Sequence, residues 1–414
     1  MKNINSKRVF KKNQSDPNPN GDYVVYWMQS AHRLYYNFAL EYAVGWANKL
    51  GKPLLLYEEL KNDYPWASDR IHRFYLEGMR EIQQEAADKG YNYLSFVEEK
   101  SDTNQQAYNT MLENACCLVT DEFPVYFIRD RNNRLAEDLD IPVFTVDNNG
   151  LIPLGLTEKD PYNAYFFRKI MQKNFVECFT HPPKKDPLEE LENSLSLDIQ
   201  NIRSQLPTSG EIPEDLDSFI ANQPIDHAVT PLDIKGTRQA ALGKLGQFVQ
   251  YGLSKYGDHR NDPDEKAASG LSPWLHFGKI SEYEIVKTVL EHQPKGWDLG
   301  DITFNKGSTG GFFNGDPNVD AFLDEVITWR EVGFHFAHHR PDYDEFESLP
   351  DWALETLRKH ENDPREYVYS LEQLEQAETH DEIWNAAQRQ LPPGGHHPEL
   401  PAHALGQKVI QWTP

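Results

Sequence analysis

Short β-branched and aromatic runs alternate with helix-length stretches through the first 150 residues, and this alternation limits the fold more than any other feature. The first run, Tyr23–Met28, suits a buried parallel strand. A helical stretch from Leu34 to Leu50 follows, then a second strand at Pro53–Tyr57. Another helix is expected over about Asp69–Lys89, where Phe74, Leu76, Met79 and Ile82 give an apolar stripe. Further strands are expected at Leu94–Val97, Cys117–Thr120, Val125–Ile128 and Val143–Val146. Repeated strand–helix units imply right-handed crossovers and a doubly wound parallel sheet. No GxGxxG follows the first strand, so the ordinary dinucleotide-binding fingerprint is missing.

From about Pro182 to Pro231 the chain is rich in Asp, Glu, Pro and Ser and its periodicity fades, which reads as an inter-domain connection with some helix. Beyond Thr237 the pattern is helical almost throughout, broken by the Gly-rich loop Gly307–Gly315. A chain of 414 residues suits two domains. The expected organisation is a disordered, basic lead-in over 1–20, an α/β domain over 21–181, the connector over 182–231 and an all-α domain over 232–414. No apolar segment follows the lead-in, so it is not a secretory signal, and no stretch approaches the roughly 20 apolar residues of a membrane span. Cys116, Cys117 and Cys178 are too few for a disulfide framework, and a cytoplasmic monomer is expected. The formal net charge of −24 argues against indiscriminate coating of nucleic acid, while leaving a local basic groove open.

Chemistry-bearing residues concentrate in the helical half. Tyr256 and Arg260-Asn-Asp-Pro263 precede Ala268-Ser-Gly-Leu-Ser-Pro-Trp-Leu-His-Phe-Gly278. Small residues ending in Ser272-Pro273 before a helix leave backbone N–H groups free to meet a phosphate. An ordinary cap, with Ser272 capping and Pro273 in the first turn, explains the same letters. A second signature is Ala321-Phe-Leu-Asp-Glu-Val-Ile-Thr-Trp-Arg-Glu331. Glu325 and Trp329 are four apart, so a helix puts a carboxyl and an indole on one face, a pairing suited to an extruded pyrimidine. A buried Trp beside a solvated Glu is the plainer alternative.

The whole string from Tyr256 through Leu271-Ser-Pro-Trp-Leu-His-Phe-Gly-Lys-Ile-Ser281 resembles the flavin-binding entry of the photolyase/cryptochrome family, with the LHFG form similar to its class II branch. Thr379-His-Asp-Glu-Ile-Trp-Asn-Ala-Ala-Gln388 resembles the same branch, as do Tyr26-Trp27-Met28, Asn37-Phe38-Ala39-Leu40 and Val146-Asp147 in the first half. The resemblance covers about Asp22–Leu391 and Lys408–Trp412. It implies an FAD-binding helical domain, with Tyr256, Ser269, Gly270, Leu271 and Ser272 at the cofactor phosphates and Phe322 lining the flavin. It further implies that Glu325 bonds the pyrimidine dimer, that Trp329 packs on it, and that Trp384 and Trp412 are the middle and outer members of a tryptophan relay. An antenna chromophore of deazaflavin or folate type is implied for the first domain.

The implied activity is light-driven repair of cyclobutane pyrimidine dimers in double-stranded DNA. A cryptochrome-like blue-light sensor and an inactive or mis-sequenced photolyase are the alternatives. The second alternative arises because residues 392–407 read Pro-Pro-Gly-Gly-His-His-Pro-Glu-Leu-Pro-Ala-His-Ala-Leu-Gly-Gln, where the family has a helix. One allowed coding of His397–Gln407, read one base later, gives I-Q-N-Y-L-R-M-L-W-G-K, a good family sequence. A pair of compensating frame errors around Pro392 and Lys408 is therefore expected, with Leu405 standing where the inner relay Trp belongs and Ala402 and His403 replacing an Arg-Met pair. The helical domain is also expected to be incomplete after Pro414. His335, His338 and His339 have helical spacing that could mimic a metal site, but they lack a companion Cys; neither they nor His396, His397 and His403 are expected to bind a metal.

Overall fold

The computed structural model describes residues 4–101, 103–192, 195–262, 264–394, 406 and 408–413. A six-stranded sheet builds the first half: β1 (Val9–Lys11), β2 (Tyr23–Met28), β3 (Leu54–Leu60), β4 (Asn92–Val97), β5 (Ala115–Glu122) and β6 (Val143–Asp147). The spatial order is β1-β6-β5-β2-β3-β4, with β2 to β6 parallel and β1 antiparallel to β6. Val24, Tyr26 and Met28 face one core, beneath the helices Phe38–Leu50 and Asp69–Lys89; Val25 and Trp27 face another. Helices cover both faces, which is why these strands read as unbroken apolar runs.

Helix boundaries follow their caps. The first helix starts at Phe38 rather than Leu34 because the Asn37 side chain accepts the Leu40 N–H at 2.9 Å. Asp69–Lys89 spans the expected residues, opened by Ser68 and closed by Gly90 at φ +71°. Val125–Ile128 is not a strand: Tyr126 opens the helix Tyr126–Asp138, which buries Ile128, Arg131, Asn132 and Leu135. A four-residue apolar run has no period of its own, and the residues after it supply the helical one.

The lead-in is built onto the sheet instead of being disordered. Its β1 closes one edge, and the buried Arg8 guanidinium bonds Asp147 Oδ2 at 3.2 Å and the Gly150 carbonyl at 2.9 Å. The connector also packs: Leu188, Ile212, Leu216 and Ile220 enter the sheet core, and Arg203 donates to the Ser95 carbonyl at 3.1 Å. The helix Ala164–Thr180 lies within the stretch expected as the α/β domain. It nevertheless buries Phe167, Met171 and Phe175 in the helical core, alongside Phe248, Tyr256 and Phe322.

Two buried polar systems join the halves. Lys279, from the helical half, places Nζ 3.9 Å from Glu58 Oε1 on β3, and Glu58 also bonds His32 and the Tyr93 hydroxyl at 2.8 Å each. Burial pushes the Glu58 carboxyl up, but the Lys279 ammonium and His32 outweigh it and hold it below its ordinary value. Glu331 accepts the Leu151 and Ile152 N–H groups at 2.8 and 2.9 Å. Burial, reinforced by the neighbouring Glu282, raises the Glu331 carboxyl well above its ordinary value. Among the described residues, no helix is long and apolar enough to cross a membrane.

Candidate functional site

The Glu325–Trp329 signature lies on a helix whose start is fixed by Asp316, with its Oδ1 accepting the Asn318 N–H at 2.8 Å and Pro317 in the first turn. Pro317–Leu323 is α-helical, Asp324–Trp329 is a π turn, and α-helix resumes over Arg330–His339. The Arg330 N–H reaches back to the Glu325 carbonyl, five residues away. Such widened turns recur at functional sites because the extra residue re-aims side chains. Val326, Ile327 and Thr328 point inward here, and Trp329 stands 54% exposed. Sequence spacing implied an ordinary α-helical pair; the wider turn is the difference.

Tyr256 and Phe322 come together in an edge-to-face contact with ring centroids 5.2 Å apart, and Phe248 packs on Phe322 at 4.5 Å. Both Tyr256 and Phe322 are buried. Arg260 links this cluster to the signature: its guanidinium carbon lies 5.6 Å from the Tyr256 ring centroid and its Nη2 lies 3.6 Å from Glu325 Oε1. The sequence placed Arg260 in a motif without giving it a role, and no local pattern tied it to Glu325, 65 residues later.

Ser269 to Ser272 form a turn in which the Leu271 N–H bonds Ser269 Oγ at 3.4 Å. Gly270 has φ +65°, and a Cβ there would lie 2.8 Å from Lys244 Cε, so a larger side chain would both strain the turn and press on Lys244. Lys244 and Phe248 share the helix Arg238–Tyr251 at i,i+4 spacing, which ties the turn to the aromatic cluster. Leu271 is buried in the same core as Tyr256 and Phe322.

Two supports of the site have no local sequence signal. Arg168 pairs with both oxygens of Asp324, the residue before Glu325, at 2.7 and 2.9 Å, from a position 156 residues earlier. Asp320 accepts N–H groups from Gly311 and Phe313 and so fastens the Gly-rich loop to the signature helix. Trp384 and Trp412 meet at 5.8 Å between ring centroids and, with Leu374, make a core separate from that of Tyr256 and Phe322. Ala402, His403, Leu405 and the neighbouring His396 and His397 lie outside the described residues. His335 and His339 are bound to Thr157 Oγ1, at 3.0 and 2.8 Å, and burial depresses His335 to about 3.

The carboxyl ends of β2 and β5, where strand order reverses, are the usual ligand crevice of a doubly wound sheet. Here the N–H groups of Gln29, Ser30 and Ala31 all point at Asp121 Oδ2, at 2.9–3.0 Å. The nest that could hold a phosphate is filled by the chain's own carboxylate. A cleft of about 310 Å³ lies beside it between the two halves, lined by Arg33, Asn149, Ser272, His276 and Arg330 among others.

The deoxyribodipyrimidine photo-lyase of Methanothermobacter thermautotrophicus is 30% identical over 411 residues, covering 99% of this chain and 82% of that protein. The chain belongs to the photolyase/cryptochrome family. The photolyase of Arabidopsis thaliana is 28% identical over 403 residues, covering 94% of this chain and 74% of that one. No family model matches the chain. The photolyase/cryptochrome fold is shared with a class III photolyase from Agrobacterium tumefaciens at TM-score 0.61 and 18% identity, over 97% of this chain and 74% of that one. An archaeal photolyase from Sulfolobus tokodaii, solved with two FAD molecules, matches at TM-score 0.56 and 17% identity, over 94% and 74% of the two chains.

Proposed function

We propose that this chain repairs cyclobutane pyrimidine dimers in DNA by light, using reduced FAD, as its resemblance to the class II branch implies. The observation that carries this reading is the π turn, which holds Glu325 against Arg260 and leaves the Trp329 indole open to solvent. An extrahelical pyrimidine pair needs an aromatic face to replace lost stacking and a polar group for its edge. Trp329 supplies the first and Glu325 the second.

The donors around Gly270 fit the diphosphate of FAD: the Ser269 hydroxyl, a turn that only glycine enters without strain, and the Lys244 side chain beside it. Tyr256 and Phe322 close the apolar side of that region. Bound and reduced, FAD would on illumination supply the electron that opens the cyclobutane ring and take it back once the ring has split. Glu325 would hold the pyrimidine edge and steady the charge the dimer gains, with Arg260 fixing the carboxyl's position. Trp384 and Trp412, in van der Waals range of each other, would serve as relay members for flavin reduction. An antenna chromophore would have to use the cleft lined by Arg33 and Arg330, because Asp121 occupies the nest at the sheet. A cytoplasmic monomer is part of the same reading.

The test is illumination of the purified, flavin-loaded chain with a dimer-containing duplex. Loss of dimers in blue light and not in darkness is expected. A chain that binds flavin and leaves dimers intact under reducing conditions would overturn the reading.

A further inference from the structure

Residues 161–176 and residues 302–315 are two of the segments of this acidic chain that contain no Asp or Glu. They are separated by more than a hundred positions, yet they lie side by side. Gln172 Oε1 accepts the N–H groups of Asn305 and Gly307 at 3.2 and 2.9 Å, and its Nε2 donates to the Ser308 carbonyl at 3.2 Å. Gly307, at φ +87°, sits so close that a Cβ would lie 2.8 Å from Lys169 Cγ and 3.0 Å from the Tyr165 carbonyl. The shared surface is therefore one built feature.

Its composition is unusual for a solvated face. The helix Ala164–Thr180 buries Phe167, Met171 and Phe175, which fully accounts for an amphipathic helix. Its outer side still carries Tyr165 and Phe166, 49% and 42% exposed, and Phe304 on the facing segment is 45% exposed. Lys169 Nζ lies 4.1 Å from the Tyr165 ring centroid and Lys173 Nζ lies 5.7 Å from that of Phe304. Among the described residues, neither of these ammonium groups nor that of Lys306 has a carboxylate within ion-pair distance. Cations resting on exposed rings, without a carboxylate paired to them, match a strand of nucleic acid: phosphates meet lysines and sugars meet rings. Continuity points the same way, since Arg168 on this helix grips Asp324 next to Glu325.

We infer that the surface formed by 161–176 and 302–315 is a second DNA contact, holding the strand that flanks the lesion. The inference rests on the repair reading for the identity of its occupant. It assigns Lys169, Lys173 and Lys306 to phosphates, and Tyr165, Phe166 and Phe304 to packing against the deoxyriboses.

The test measures binding of the full chain to a dimer-containing duplex and to the same duplex intact, by fluorescence anisotropy across a salt series. A triple variant, Lys169→Ala with Lys173→Ala and Lys306→Ala, is compared with the parent. The variant should bind both duplexes roughly tenfold more weakly, and its slope of log affinity against log salt should be shallower by about 2.7, from three lost phosphate contacts. The preference for damaged over intact duplex should be retained. A variant with the parent's affinity and slope overturns the inference and leaves the repair reading standing. A parent that binds both duplexes equally, and loses both on substitution, supports the surface and removes the lesion site. A parent that binds neither duplex removes both.

Discussion

On the repair reading a single side chain, Glu325, carries chemistry, while Glu331 holds a joint between the halves, and the two should respond differently to substitution. Glu325 is partly exposed and touches Arg260 at the edge of a polar site, so its removal should spare the fold. Glu325→Ala is expected to lower light-driven dimer loss by at least about tenfold, in line with removing one preorganised polar group, with flavin binding retained. Quantum yield measured on saturating substrate checks this. Trp329→Ala should instead weaken binding of the lesion by ~1–3 kcal/mol, the usual worth of one base stacked on an aromatic ring. Anisotropy with the dimer-containing duplex reads it directly. Gly150 answers to sterics: a Cβ there would lie 2.4 Å from Glu331 Cδ. Gly150→Ala must push Glu331 off the Leu151 and Ile152 N–H groups, and a loss of roughly 3 kcal/mol in urea unfolding is expected.

At the level of elements, the loop after β2 is held by Asp121, which is fully buried and receives three consecutive N–H groups and the Tyr26 hydroxyl. Asp121→Ala would strand those donors, and a destabilisation of ~4 kcal/mol or more is expected from their desolvation, read as a lowered unfolding midpoint. The strands and the long helix Asp69–Lys89 were legible in the sequence because burial on both faces writes continuous apolar runs and 3.6-residue stripes write themselves. The run at Val125–Ile128 was not, since its helical partners Arg131 and Asn132 are polar residues buried by hydrogen bonds. The connector was misjudged for a related reason: a few apolar residues, Leu188, Ile212, Leu216 and Ile220, dock it among many acidic ones. Within the site, motif resemblance singled out Tyr256, Phe322, Trp384 and Trp412 as residues, and linked the last two as neighbours, which meet at 5.8 Å. Arg168–Asp324 and the π turn were not legible, because long-range pairing and a one-residue widening leave no local pattern.

For the molecule as a whole, buried titratable groups set opposite pH limits. Burial depresses the rings of His72 and His335 to about 4 and about 3. Both are neutral when folded and take up protons once unfolded below about 6.5, so stability is lost as pH falls through that window, at up to ~1.4 kcal/mol per pH unit for each ring. Glu331 works the other way. Its raised carboxyl keeps a proton in the folded chain that the unfolded chain releases above the ordinary carboxylate range, so stability falls as pH rises through it. Urea midpoints across pH 4–9 should pass through a maximum, and His335→Gln should remove one ring's share of the acid slope. Midpoints that climb steadily in either direction would contradict this assignment. The edge strand has a consequence in time. β1 is made first of the six strands, but among the described residues its partner in the sheet is β6, whose residues are made last of the six. At 5–20 residues per second of synthesis, Val9–Lys11 waits on the order of ten seconds outside the ribosome with nothing to pair with. Arg8 travels with it, so its contacts with Asp147 and Gly150 can form only after the residues of all six strands have been made. The strand made earliest of the six thus depends for its place on the one made latest.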